Sequence, residues 1–129
     1  ERVAINLMDA RIPDNTGYQP IDEPIAPDGP AAYFSTLPVK AIAERIQSAG
    51  LPAVVSNTAG TYVCNNLLYT LLHTAALEYP GLRGGFLHVP YAIEQLPGKP
   101  GDTFGMKLCD IARALTCAVE AIAEHLLER

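Results

Sequence analysis

The first residues of the chain alternate in polarity, with apolar side chains at Val3, Ile5 and Leu7. A period of two is that of a β-strand, and we predict a strand over residues 2–8. A polar stretch with five prolines follows, over residues 9–30. Loops of this length are uncommon in compact domains unless they are functional. We therefore expect this proline-rich loop to border an active site or an interface.

Three later stretches show the apolar spacing of amphipathic helices, and we predict helices over residues 38–49, 65–78 and about 103–127. The first has an apolar stripe at Val39, Ile42, Ala43 and Ile46. The last has one at Ile111, Leu115, Val119, Ile122 and Leu126.

Short apolar runs at residues 53–56 and 85–89 are typical of strands buried on both faces. Strands and helices then alternate along the chain, which predicts an α/β fold with a mostly parallel sheet. We predict a single domain over residues 1–129. Because the chain opens on Glu1 and enters a strand at once, we expect it to be a piece of a longer protein or a processed product.

Two reactive side chains follow predicted strands, where ligands gather in open parallel sheets. Cys64 comes after a glycine-containing turn at the predicted start of a helix, where unpaired amide groups and the helix dipole favour a thiolate. His88 lies near the end of the strand at 85–89. A base beside a thiol is the minimum for nucleophilic catalysis. The alternatives are a small buried Cys64 and a hydrogen-bonded core His88, whereas His73 and His125 are expected to be surface or packing residues.

The composition excludes several classes of function. Nine Lys and Arg against fourteen Asp and Glu, a net charge of −5, argue against nucleic acid as a partner. No apolar run approaches the ~20 residues of a membrane span, and no secretory signal is visible. Three cysteines do not suggest a disulfide framework, and Cys109 and Cys117, eight residues apart on one helix, are too distant to bridge. No zinc spacing or phosphate-binding fingerprint occurs, so no cofactor or metal is expected.

Four segments of the chain together resemble one family of enzymes. They are ERVAIN at 1–6, ARIPDN at 10–15, SNTAGTYVCN at 56–65 and GFLHVPY at 85–91. In this order they are similar to the pyroglutamyl-peptidase I (pyrrolidone-carboxylate peptidase) family of cysteine peptidases, and the resemblance spans essentially the whole chain.

The resemblance implies roles for four residues. Cys64 would be the nucleophile that forms a thioester acyl-enzyme, His88 the base, Glu1 the third member of the triad, and Arg11 a group near the oxyanion. Without the resemblance, Glu1 would be interpreted as a solvated charge. Arg11 would be an ion-pair partner of one of the aspartates that flank it, Asp9 and Asp14, or a loop anchor.

The resemblance also implies a fold and a biological setting. The fold would be a three-layer α/β/α sandwich whose N-terminal part is absent from these 129 residues, so the catalytic domain is expected to be incomplete. The substrates would be peptides with an N-terminal pyroglutamate, and the protein a cytoplasmic homotetramer without a cofactor. The alternatives are a catalytically silent fragment and another Cys-His-Glu amidohydrolase of the glutaminase type, acting on a free side-chain amide.

Overall fold

A two-stranded antiparallel sheet contains the beginning of the chain. In the computed structural model, which describes residues 1–127, strand β1 (Val3–Ile5) pairs with β2 (Ala32–Phe34), and Ala4 lies opposite Tyr33. The strand predicted over residues 2–8 is confirmed in place, although it is shorter. The sequence did not predict β2, because three residues are too few for an alternating pattern to be recognised.

Three helices carry most of the regular structure. They are α1 (Val39–Ser48), α2 (Cys64–Glu78) and α3 (Leu108–Leu127). The predictions for α1 and α2 are confirmed to within about one residue at each end. Helix α3 begins five residues later than predicted, because Gly105–Met106 instead forms β4, which pairs in parallel with β3 (Tyr91–Ala92). A short 3-10 helix, Ile93–Gln95, follows β3.

The predicted strands at 53–56 and 85–89 are wrong for the part of the chain that the structure describes. Neither segment forms a ladder there, and the side chains of Val54 and Val89 are 87% and 53% exposed. An apolar run indicates residues that would be stable when buried, but it does not supply the neighbouring strand on which a ladder depends. The predicted α/β class is nevertheless confirmed, with helices and a parallel strand pair.

The chain forms two compact units. The first comprises residues 1–37 and 56–86 and contains β1, β2 and α2. Its core is formed by four residues with at most 3% exposure, namely Ala4, Leu68, Tyr69 and Leu72. Three of these lie on α2 at helical spacing, which explains why the periodicity predicted this helix correctly.

The second unit comprises, among the described residues, 38–55 and 87–127, and in it α1 packs against α3. On α1 the buried residues are Ile42, Ala43 and Ile46, as the predicted stripe requires. On α3 they are Ile111, Ala118 and Ala121, whereas Leu115 and Val119 are 41% and 65% exposed. The buried face of α3 is therefore rotated from the predicted stripe toward its alanines, which allow close helix packing.

Helices long and apolar enough to cross a bilayer are absent from residues 1–127.

Candidate active site

Cys64 is the first residue of helix α2, as the sequence predicted. The chain enters the helix through Val63 (φ 15°, ψ −67°), whose side chain has no polar atom with which to cap the helix. The Asn65 amide donates to the Tyr62 carbonyl at 3.0 Å and the Leu67 amide to the Val63 carbonyl at 2.8 Å, which forms the first turn. A helix start without a side-chain cap leaves amide donors for a ligand or a developing negative charge.

The predicted turn before Cys64 is also confirmed. The Gly60 amide donates to the Thr58 hydroxyl at 3.0 Å, and the Ser56 hydroxyl donates to the Thr58 carbonyl at 3.0 Å. Gly60 has a φ of 77°, a conformation that side-chain-bearing residues rarely adopt. Short-range hydrogen bonds and one glycine thus direct the chain sharply into α2.

The residues just before Cys64 are bound to the start of the proline-rich loop. The Asp9 amide donates to the Thr61 carbonyl and the Thr61 hydroxyl donates to the Asp9 carbonyl, both at 2.8 Å. The Tyr62 hydroxyl donates to an Asp14 carboxylate oxygen at 3.3 Å. Arg11 lies between these two anchors, so the structure brings the segment carrying Arg11 to the turn that carries Cys64.

The Asp14 carboxylate is hydrogen-bonded to residues other than Arg11. Its carboxylate accepts the Thr16 hydroxyl at 2.7 Å and the Thr16 amide at 2.8 Å, and these bonds hold the pKa of Asp14 below its ordinary value. Arg11 is exposed and forms no ion pair with residues 1–127. The ion-pair alternative for Arg11, with Asp9 or Asp14, is therefore not realised in this part of the chain.

Glu1 lies two residues before the first residue of β1 and beside Phe86 of the fourth motif-bearing segment. Its backbone nitrogen donates to the Phe86 carbonyl at 2.8 Å, and the following amide, of Arg2, donates to the Ser56 carbonyl at 2.8 Å. The first two residues therefore contact both the segment that precedes the Cys64 turn and the GFLHVPY segment. The glutamate is half-buried.

His88 lies two residues after Phe86 along the chain, in the second unit, and it is exposed. Its pairing with Cys64 stays a prediction. The two other histidines lie outside the predicted site. His73 is a packing residue that meets the Tyr33 hydroxyl through Nδ1 at 2.9 Å and stacks on the Tyr69 ring, and His125 lies in the last turn of α3.

The sequence patterns did not indicate a role for Asn65, which is 1% exposed and follows Cys64 directly. Its position was a recognisable signal, because residues 65, 68, 69 and 72 share one helix face and the other three are the large core residues of α2. A polar residue on such a face must find internal partners.

Comparisons with known proteins identify the family of this chain. The sequence model of the pyroglutamyl peptidase family matches residues 1–125. The chain is 68% identical, over its whole length, to the pyrrolidone-carboxylate peptidase of Streptomyces coelicolor and covers 59% of that protein. It is 57% identical over 125 residues to the Streptococcus pneumoniae pyrrolidone-carboxylate peptidase, covering 97% of this chain and 58% of the relative.

Solved structures give the same result. The pyrrolidone carboxyl peptidase from Thermococcus litoralis matches with a TM-score of 0.92 and 44% identity, over 98% of this chain and 60% of that one. The pyroglutamyl peptidase I of Bacillus amyloliquefaciens matches with a TM-score of 0.89 and 49% identity, over 95% of this chain and 57% of the other.

The chain thus has the α/β fold of the solved pyroglutamyl and pyrrolidone carboxyl peptidases that it matches, with Cys64 at the start of a helix. The chain belongs to the pyroglutamyl peptidase family. It spans about three-fifths of the length of the relatives that it matches.

Proposed function

We propose that this chain carries the catalytic groups of a peptidase that removes an N-terminal pyroglutamyl residue from peptides. The observation that carries the proposal is the position of Cys64 at the first residue of α2, with the Arg11 segment bound to the two residues before Val63. The membership of the pyroglutamyl peptidase family supplies the substrate class.

The first chemical step would form a thioester. The Cys64 thiolate attacks the carbonyl carbon that joins the pyroglutamyl residue to the rest of the peptide, and the carbonyl oxygen becomes an oxyanion. Amide groups at the start of α2 would donate to this oxyanion, with Arg11 as a further donor. Loss of one such donor typically costs ~3–4 kcal/mol of transition-state stabilisation.

The next steps require an acid and then a base. His88 would protonate the departing amine as the C–N bond breaks, which leaves the pyroglutamyl group on Cys64 as a thioester. His88 would then take a proton from water, whose oxygen attacks the thioester to release pyroglutamic acid and the thiolate. Glu1 would hold the imidazole in the required tautomer and stabilise its cation. The contact between Glu1 and Phe86, two residues before His88, supports this role.

These steps need no metal or cofactor, because each proton and electron pair is accounted for by the thiol, the imidazole and water. By resemblance to the family we also propose a cytoplasmic homotetramer. Sedimentation velocity of the purified chain tests the assembly, and a monomer at micromolar concentration would contradict it.

A chromogenic pyroglutamyl amide tests the proposed reaction in the 129-residue chain. We expect turnover that Cys64→Ser abolishes and that Cys109→Ser and Cys117→Ser leave unchanged, since both of these cysteines lie on α3. Turnover that survives Cys64→Ser would exclude this nucleophile. A folded chain without turnover would support the catalytically silent alternative, and release of ammonia from glutamine would support the glutaminase alternative.

A further inference from the structure

The amide of Asn65 is buried on the core face of α2, where a polar side chain is costly unless it is hydrogen-bonded. Its oxygen Oδ1 accepts the Ile5 amide at 2.9 Å. Its nitrogen Nδ2 donates to the Ile5 carbonyl at 2.9 Å and to the Leu7 carbonyl at 3.1 Å. All three bonds go to the backbone of β1 and the residues just after it.

These bonds occupy the edge of β1 that faces away from β2. The neighbouring residue Asn6 uses its backbone amide toward the β2 side, where it donates to the Ala31 carbonyl at 2.9 Å. Successive residues of a strand direct their backbone polar groups to opposite sides, so Ile5 directs its own toward α2. The Asn65 side chain therefore pairs with Ile5 as the backbone of a neighbouring strand would.

We call the three hydrogen bonds of Asn65 to Ile5 and Leu7 the Asn65 anchor. The anchor lies next to Cys64 in the chain, and this position gives it a consequence for catalysis. The α-carbons of consecutive residues are ~3.8 Å apart, so α2 is fixed to β1 one residue from the sulfur. Val63, on the other side of Cys64, has no side-chain atom that could cap the helix. Asn65 is therefore the side chain that ties the first turn of α2 to the strand that Glu1 precedes.

We infer that Asn65 is a positioning residue for the Cys64 nucleophile, an inference that rests on the function proposed above. It holds the start of α2 in a fixed position against β1. The distance between the Cys64 thiol and the groups at the start of β1 therefore stays constant. A displacement of ~1 Å in an active site can cost ~10²-fold in rate. The anchor therefore affects turnover more than it affects substrate affinity.

The next residue provides a matched control. Asn66 has the same side chain in the same helical turn, but it is only half-buried and its bonds go elsewhere. Its Oδ1 accepts the Thr70 hydroxyl at 3.0 Å, and its Nδ2 lies 3.0 Å from the sulfur of Met8. It makes no hydrogen bond to the backbone of β1. A substitution of Asn66 thus changes local polarity without releasing the anchor.

The test compares Asn65→Asp with Asn66→Asp in the 129-residue chain. Asn65→Asp removes both donors and places oxygen against two carbonyl groups, so we expect kcat for the chromogenic pyroglutamyl amide to fall ~10–100-fold, with KM within ~3-fold. Asn66→Asp should leave kcat within ~2-fold. Both rates are normalised to the folded fraction measured by circular dichroism.

A second readout does not depend on turnover. In a background that carries Cys109→Ser and Cys117→Ser, iodoacetamide alkylates only Cys64, and the rate is followed across pH. We expect Asn65→Asp to slow this alkylation and to shift its pH dependence, whereas Asn66→Asp should do neither. A wild-type chain that lacks turnover would contradict the proposed function and still leave this comparison decisive for Asn65.

Folded Asn65→Asp with the wild-type kcat and alkylation profile would overturn the inference, as would a change confined to KM. If Asn65→Asp does not fold, Asn65→Ala leaves room for water at Ile5 and should give the same loss of kcat. Failure of both variants to fold would also overturn the inference, because Asn65 would then be a stability residue and not a positioning residue.

Discussion

Asp9 and Thr61 exchange two hydrogen bonds, one from each residue and both at 2.8 Å. The pair joins the segment that carries Arg11 to the turn that carries Cys64, although 52 residues separate them in sequence. One of the two bonds is made by a side chain, so it can be removed without changing the backbone.

Thr61→Val tests the contribution of that side chain to stability. Valine has the shape of threonine without the hydroxyl, so the Asp9 carbonyl loses its donor. We expect the free energy of unfolding in urea to fall by ~0.5–1.5 kcal/mol. Thr116→Val is the matched control, because its hydroxyl bonds only within α3 and is exposed, and it should change the value by less than ~0.5 kcal/mol. Equal effects of the two substitutions would show that the hydrogen bond from the Thr61 hydroxyl to the Asp9 carbonyl does not stabilise the chain.

Gly29 and Tyr69 form a second long-range relationship that can be tested by a double-mutant cycle. A β-carbon at Gly29 would collide with the Tyr69 hydroxyl and lie 2.9 Å from the Ala26 β-carbon. We expect Gly29→Ala to destabilise the chain by ~1–3 kcal/mol through overpacking. Tyr69→Phe removes the collision but also the bond to the Pro30 carbonyl at 2.7 Å, at a cost of ~0.5–1.5 kcal/mol.

The double variant should be more stable than the sum of the two single effects predicts, because the residues share one space. Gly101→Ala is the control, since a β-carbon there meets no atom within 4 Å. Additive effects of Gly29→Ala and Tyr69→Phe would show that the two residues do not compete for this space.

The same tyrosine predicts a loss of stability at high pH. Tyr69 has no exposed surface, and burial raises the pKa of its hydroxyl above the ordinary value. The folded chain thus favours the neutral phenol, and its stabilising contribution is complete below about pH 10 and is lost as pH rises through the folded pKa. Urea unfolding at several pH values should show the stability advantage of the wild type over Tyr69→Phe shrinking above about pH 10. An advantage that grows there would contradict the burial of this phenol.

In the second unit, we expect buried apolar packing to contribute more to the free energy of unfolding than surface ion pairs do. Arg45 pairs with Glu120, at 3.3 Å, and with Glu124, all at the surface, whereas the adjacent Ile46 is 6% exposed. We expect Ile46→Ala to cost ~2–5 kcal/mol. Arg45→Gln should cost much less, and its effect should vanish in high salt because exposed ion pairs are screened. A larger effect of Arg45→Gln than of Ile46→Ala would reverse this ranking.

The sequence correctly predicted those elements that depend on short-range patterns along the chain. Helix α2 and its start at Cys64 follow from apolar periodicity and a glycine turn, and both are confirmed. The predictions of strands at 53–56 and 85–89 were wrong because strand pairing depends on a neighbouring strand, which an apolar run does not specify. Helix α3 begins later in the chain than predicted because Gly105–Met106 pairs with β3. Apolar periodicity does not indicate such a pairing.

For the candidate site, the roles of the residues that the motifs indicated stay predictions. The motifs indicated Cys64, His88, Glu1 and Arg11, but no local pattern shows that Thr61 and Asp9 bring the Arg11 segment to the Cys64 turn. Asn65 was missed because polar residues are normally assigned to the solvent face of a helix. Its three bonds to β1 and Leu7 depend on tertiary structure.

The most direct test of the account is to trap the acyl-enzyme. The chain is mixed with the chromogenic pyroglutamyl amide, quenched in acid during turnover, digested and analysed by mass spectrometry. We predict a pyroglutamyl thioester on the peptide that contains Cys64 and none on the peptides that contain Cys109 or Cys117. A thioester on either of those residues, or turnover without any adduct on Cys64, would contradict the account.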